Sequence, residues 1–265
     1  MRRALRAQGG PPMSVLRSIV AAFSCYSAIP MPHVRWDERD MRYMMAAFPL
    51  VGLVIGACAL LWFATCDALR FGTLARATGL ALIPIVVSGG IHLDGLADVT
   101  DAQSSHAEPE RRQQILKDPH VGAFAVIGVC CYLLASVGLA SELEPSLAPF
   151  VACIPVTSRC LSGLAVVTLS AARKEGMYAS VRKAASMRMV RILLVVELAI
   201  ACACMVALQP IVALCALAVS AAILAYVHRL AKSQYGGMSG DLAGYLLQLC
   251  ELAMLACVVV VGRLV

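Results

Sequence analysis

Between residues 43 and 262 the chain is a succession of long, nearly uncharged runs cut by short charged segments. That pattern restricts the fold more than anything else in the sequence. The runs are 43–66, 77–93, 121–141, 145–172, 192–208, 210–227 and 242–262. A helix needs about 20 consecutive apolar residues to cross a bilayer, so the reading is an all-α, polytopic helical bundle with about seven transmembrane helices. The second run is short and is read as tilted or partly re-entrant. The fifth and sixth are divided only by Gln209-Pro210, where proline removes a backbone donor and restricts the residue before it, so a tight hairpin is expected there. Composition agrees: 60% of residues are hydrophobic and 14% charged, with a mean hydropathy of +0.81. Soluble domains carry about 25% charge. A soluble enzyme, a disordered protein and a coiled coil are thereby excluded.

Residues 1–42 form a cytoplasmic or interfacial N-terminal segment, and residues 43–265 a single transmembrane domain. Within the former, 15–29 is apolar but carries Arg17 and ends at Ile29-Pro30-Met31-Pro32, which suits a helix lying in the interface. With the N-terminus inside, the segments 1–42, 94–120, 173–191 and 228–241 hold eighteen of the 22 Lys and Arg residues, against three in the outer segments. The positive-inside rule therefore predicts a cytoplasmic N-terminus and an outer C-terminus. It also accounts for the net charge of +6 without nucleic acid. The twelve Cys fall almost wholly in apolar stretches with no CxxC pair and no zinc spacing, and are read as packing residues. No short apolar core with a small-residue cleavage site opens the chain, so a cleaved signal peptide is not expected.

The acids are concentrated. Asp94, Asp98, Asp101, Asp118 and Asp241 all fall on the predicted cytoplasmic side. Asp94, Asp98 and Asp101 are spaced i, i+4, i+7, which on a helix puts them within about 60° of one another. Like charges so placed repel. A hard divalent cation removes the penalty, and carboxylates with substrate phosphate oxygens are the ligands Mg²⁺ prefers. Arg111, Arg112 and Lys117 follow in the same 94–120 loop, and guanidinium groups suit phosphate. Acids for a metal beside bases for phosphates make the equipment of phosphoryl transfer. Before the last run, Gly236-Gly237-Met238-Ser239-Gly240-Asp241 is either an anion-accepting nest with a further metal ligand, through Gly237, Gly240 and Asp241, or a turn capped by Asp241. Arg159 is a charge inside a span, so it is either functional or the structural partner of Glu197 or Glu251. His92, beside Asp94, is a base or a structural histidine.

The segment Gly89-Gly90-Ile91-His92-Leu93-Asp94-Gly95-Leu96-Ala97-Asp98-Val99-Thr100-Asp101 resembles the signature of the cobalamin synthase (adenosylcobinamide-GDP ribazoletransferase) family. The likeness extends to Phe48-Pro49-Leu50-Val51-Gly52, Arg111-Arg112, Ile115, Lys117-Asp118, Val121-Gly122-Ala123, Ser158-Arg159 and the glycine block ending at Asp241. It departs at Ala102 and Gln103-Ser104-Ser105, where relatives carry glycine. It departs again at Tyr26-Ser27-Ala28-Ile29-Pro30, which lacks the family's Thr-Arg.

The resemblance implies a Mg²⁺-dependent phosphotransferase in the cell inner membrane with its active site on the cytoplasmic face. It would join adenosylcobinamide-GDP and α-ribazole, or its 5′-phosphate, with GMP leaving. Asp94, Asp98, Asp101 and Asp241 would hold the metal. Asp94, Asp98 or Asp118 would take the proton of the attacking 3′-hydroxyl. Lys117, Arg111, Arg112, Arg159, Gly237 and Gly240 would contact the substrates. A homo-oligomer, or association with other enzymes of cobalamin synthesis, is compatible with this reading. Two alternatives remain. A CDP-alcohol-type phosphotransferase also uses an Asp-Gly motif, but this chain lacks that motif's later spacing. An ion-coupled transporter would show inverted repeats and mid-bilayer charges, whereas these acids sit at a boundary and the two halves show no self-similarity.

Overall fold

The computed structural model describes residues 11–33, 41–172, 180, 181, 183 and 186–264. Residues 1–10 and 34–40 of the N-terminal segment, and Arg173, Lys174 and Arg182 of the basic segment, lie outside the described residues. The helices are α1 (Pro11–Tyr26), α2 (Met44–Ala68), α3 (Thr73–Ser88), α4 (Ile91–Ser104), α5 (Pro109–Ile115), α6 (Ala123–Ser141), α7 (Ala148–Thr168, entered through a short 3₁₀ turn at Pro145–Leu147), α8 (Met187–Leu208), α9 (Pro210–Gln234) and α10 (Gly240–Gly262). Six of them, α2, α6, α7 with its entry turn, α8, α9 and α10, are long and apolar enough to cross a membrane, and the bent pair α3–α4 brings the number to seven.

Each predicted run finds a helix. One boundary moves: the second run was expected to continue to Leu93, but α3 ends at Ser88 and the chain turns by 97° into α4. The turn is made by Gly89 and Gly90, whose φ angles of +66° and +79° lie in the left-handed region open to glycine. α3 is then 16 residues long, roughly 24 Å. α4, rich in carboxylates, leaves the direction of α3 at that 97° angle. The Gln209-Pro210 hairpin forms as expected, with Gln209 ending α8 and Pro210 opening α9.

Side chains and backbone tie alternate helix ends together. At one end Tyr26 donates to Met45 Sδ at 3.3 Å, Ala28 N–H to Val87 O at 2.8 Å, Ser162 to Ala243 O at 3.0 Å and Arg191 to Val167 O at 2.7 Å. This end therefore gathers the starts of α2, α8 and α10 with the finishes of α1, α3 and α7. At the opposite end Trp62 Nε1 donates to Arg76 O at 3.0 Å, and Arg263 pairs with Glu142. The spans consequently run up and down, as short loops between long helices require.

Lipid supplies no hydrophobic drive between helices, so close contact at small residues has to hold them. α2 and α7 show this: a methyl group on Gly52 would lie 2.4 Å from Pro155 O, and one on Gly56 2.3 Å from Ala152 O. The centre of the bundle also holds a polar network. Arg159 Nη1 donates to Glu251 Oε1 at 2.8 Å and to Pro155 O at 3.0 Å, Ser158 donates to the same carboxylate oxygen at 2.8 Å, and Tyr132 donates to Gln248 Oε1 at 2.6 Å. Of the two partners considered for Arg159, the structure selects Glu251.

Candidate functional site

α4 begins at Gly90 and buries Leu96, Val99 and Ala102, a stripe that leaves the other face to Asp94, Asp98 and Asp101. The i, i+4, i+7 row thus forms on one helix as its spacing predicts. What brings a fourth carboxylate to it is a backbone crossing. A methyl group on Gly95 would lie 2.7 Å from the carbonyl oxygen of Asp241, and one on Gly244 3.0 Å from that of His92. Glycine at both positions lets α4 and the first turn of α10 touch main chain to main chain. The turn itself is capped by Ser239, whose hydroxyl accepts from Leu242 N–H at 3.2 Å. The alternative of Asp241 as the cap is therefore not what forms.

The charges of the row act on one another. Asp98 is half-buried, and its carboxyl is pushed up to about 6, first by burial and then by the negative charges of Asp94, Asp241 and Asp101. Asp101 has a second engagement. It accepts from Ala125 N–H at 3.3 Å and lies against Gly122, where a methyl group would meet its carboxylate at 2.1 Å. A side chain of α4 thereby caps α6, whose own cap residue, Gly122, has none to offer.

The other predicted residues spread out. Arg112 donates to Ala107 O at 2.6 Å and to Gln103 Oε1 at 3.0 Å, and Gln103 in turn donates to Tyr235 at 2.8 Å, bracing α5 and α4 against the turn before α10. Arg111 is exposed and donates to Gln114, and Lys117 is exposed. Asp118 is fully exposed and held below the usual carboxylate range, first by His120 N–H and then by the His120 ring. The Gly237 amide donates to Ala231 O at 2.9 Å and that of Met238 to Ser170 O at 2.7 Å, so these donors close the turn. Arg159 is buried beneath the row, 5.6 Å from the centre of the Phe48 ring.

Beside the row opens a cleft of about 780 Å³, its mouth included. Asp94, Gly240 and Asp241 line it together with Cys25, Tyr26, Met45, Phe48, Ile91, His92, Ser162, Val166, Val181, Ala243 and Gly244.

Comparison with known proteins decides the family. The profile of the CobS family, described as cobalamin-5-phosphate synthase, matches residues 18–259. A protein of Lachnoclostridium phytofermentans named adenosylcobinamide-GDP ribazoletransferase is 43% identical over 96% of this chain and 97% of its own length. The chain belongs to the cobalamin-5-phosphate synthase family. Proteins of the same name from Geobacillus thermodenitrificans and Clostridium botulinum are 35% and 28% identical, over 86% and 90% of this chain and 89% and 95% of theirs. No solved structure matches it at a significant level.

As a member of this family, the chain is a membrane transferase of cobalamin synthesis, and the two alternatives raised by the sequence give way. The match runs from α1 into α10 and includes the whole acid row and cleft. The row's chemistry fits a hard cation: its donors are carboxylate oxygens, and burial followed by mutual repulsion raises Asp98. Among the described residues no three such groups already converge as a preformed cage. Mg²⁺ commonly takes one or two carboxylates and completes its shell with water and substrate phosphates.

What sequence reasoning missed in this synthase is the aromatic side of the cleft. Phe48 stood inside a recognised motif, but nothing in its spacing announced that it meets Tyr26 and His92. The Gln103–Tyr235 link was missed as well, because it joins residues 132 positions apart.

Proposed function

We propose that the chain joins adenosylcobinamide-GDP to α-ribazole or its 5′-phosphate, releasing GMP, at a Mg²⁺ site on the cytoplasmic face of the inner membrane. The observation that carries the reading is the gathering of Asp94, Asp98, Asp101 and Asp241 by the α4–α10 crossing, beside an open cleft, in a chain of this family. The basic segments flanking the same helix ends support the cytoplasmic placement.

Asp94, Asp98 and Asp241 would offer carboxylates to the cation, one or two of them as direct ligands, with Asp101 adjacent at the start of α6. A Mg²⁺ ion held there would supply charge neutralisation for the diphosphate and for the departing GMP. The ribazole 3′-hydroxyl oxygen forms a bond to the phosphorus on the cobinamide side, and the bond from that phosphorus to the GMP oxygen breaks. The hydroxyl proton passes to a carboxylate of the row; Asp94 is the α4 acid whose side chain lines the cleft. Arg111 and Lys117, exposed on the segment after α4, orient outer phosphates, and Gly240 lets the diphosphate approach the start of α10. Arg159 holds Phe48 and the bundle below.

The test is GMP release from adenosylcobinamide-GDP and ribazole, in detergent or liposomes, with and without magnesium. Asp94→Asn is expected to abolish turnover while inserting normally. Wild-type rates in that variant at saturating Mg²⁺ would remove Asp94 from the site.

A further inference from the structure

The cleft has two chemically different ends. Asp94 is exposed and Asp241 partly so, which makes one end acidic and open. The other is built from Phe48, 2% exposed, His92, 6% exposed, and Tyr26. Ring centres there are 4.5 Å apart for Tyr26 and Phe48, 5.4 Å for Phe48 and His92, and 6.2 Å for Tyr26 and His92, with the last two rings only 21° from parallel. Met45, Val166 and Ala243 complete this end, and among the described residues that line the cleft there is no Lys or Arg. The Arg159 guanidinium beneath Phe48 is already engaged by Glu251. What suits that end is flat and uncharged.

One polar atom there is unsatisfied. His92 Nε2 is buried and has no hydrogen-bond partner among the described residues. An unmet buried polar group is costly, and a ligand that supplies its partner gains by the difference. Aromatic faces, for their part, reward stacking by any heterocyclic base.

Building on the proposed reaction, we infer that the Tyr26–Phe48–His92 end of the cleft receives a planar nitrogen heterocycle, the base of a nucleoside substrate, and that His92 Nε2 is the atom that hydrogen-bonds it. The sugar and phosphate then extend toward Asp94 and Asp241, which places the base inward and the reacting phosphorus at the acid row. His92 is on this account a recognition residue. It does not act as the general base its position beside Asp94 first suggested. Both substrates carry a base, guanine on one and the ribazole heterocycle on the other, and the experiment separates them.

His92→Leu, His92→Gln and Phe48→Leu are prepared in lipid nanodiscs. KM is measured for each substrate with the other saturating, and equilibrium binding of ribazole and of GDP is followed by calorimetry. His92→Leu and Phe48→Leu are expected to raise KM and Kd for one base-bearing ligand by about 10- to 100-fold, with the other within about twofold. His92→Gln, which restores a donor and an acceptor, should recover most of the loss. A rise for ribazole alone assigns the slot to the ribazole heterocycle, and a rise for GDP and adenosylcobinamide-GDP alone assigns it to guanine. Unchanged constants for both, or equal losses for both that Gln does not rescue, overturn the inference. Wild-type protein that releases no GMP refutes the proposed reaction instead, so the two failures are told apart.

Discussion

Replacing Gly95 with alanine tests whether the α4–α10 crossing sets the site. The new methyl carbon would stand 2.7 Å from Asp241 O, 3.1 Å from its Cα and 3.2 Å from its carbonyl carbon. Carbon contacts are comfortable at about 3.5 Å or more, so the deficit approaches roughly 0.8 Å. All three atoms are main chain within a capped helix, so no rotamer change relieves the clash. The helices must part by about that distance, and strain from such overpacking costs about 1–3 kcal/mol. Asp241 moves with its backbone, and a displacement of about 1 Å in a reacting constellation costs on the order of 100-fold in rate. Gly95→Ala is therefore expected to lower kcat for GMP release by about 10- to 100-fold at saturating Mg²⁺, with a reduced melting temperature and unchanged helical circular dichroism. Gly138→Ala is the control: it lies on α6 with nothing within 4 Å of the added carbon, and it should leave turnover alone and stabilise slightly through helix propensity. Turnover at the wild-type rate in Gly95→Ala would refute the claim that this contact positions Asp241.

Three further outcomes follow from the same geometry. Arg159→Met leaves Glu251 buried without its ion pair and should cost about 3–5 kcal/mol in detergent unfolding, much of it regained by adding Glu251→Gln; additive losses would show that the two side chains are not coupled. Asp98, raised to about 6 from 3.8, favours its protonated form in the fold. In chelator its stabilising contribution is complete below pH 3.8 and is lost as pH rises through about 6, so Asp98→Asn should melt higher than wild type at pH 7.5 and not at pH 4; a lower melting point at pH 7.5 contradicts the crowding of charge. Asp101→Ala removes the cap of α6 and should cost about 1 kcal/mol, while Asp101→Asn, which keeps an acceptor, stays near wild type; equal losses in thermal unfolding would point away from capping.

Much of this was legible in the residues. Every apolar run became a helix, the Gln209-Pro210 hairpin formed, and the spacing of Asp94, Asp98 and Asp101 placed them on one helical face, because hydrophobic length and helical period are local properties. The turn after Ser88 was less so. Leu93 is as apolar as the span before it, and only the conformational freedom of Gly89-Gly90 separates them. The partner of Arg159 was narrowed to two acids and no further, since Glu197 and Glu251 differ in where their helices pack and not in their surroundings along the chain. The dual placement of Asp101, and the meeting of Gly95 with Asp241, depend on residues 24 and 146 positions apart or thereabouts. No periodicity reports contacts of that kind.

The acid row is thus a crossbeam laid over posts that stand in oil. It hangs from α3 by two glycines, and contact with the tops of α6 and α10, together with the Gln103 brace to α5 and Tyr235, holds it in place. A soluble fragment spanning this helix would keep every charge and lose the ruler that spaces them. The distances between these carboxylates are therefore measured out by helices that pack in the bilayer, and water alone would not preserve them.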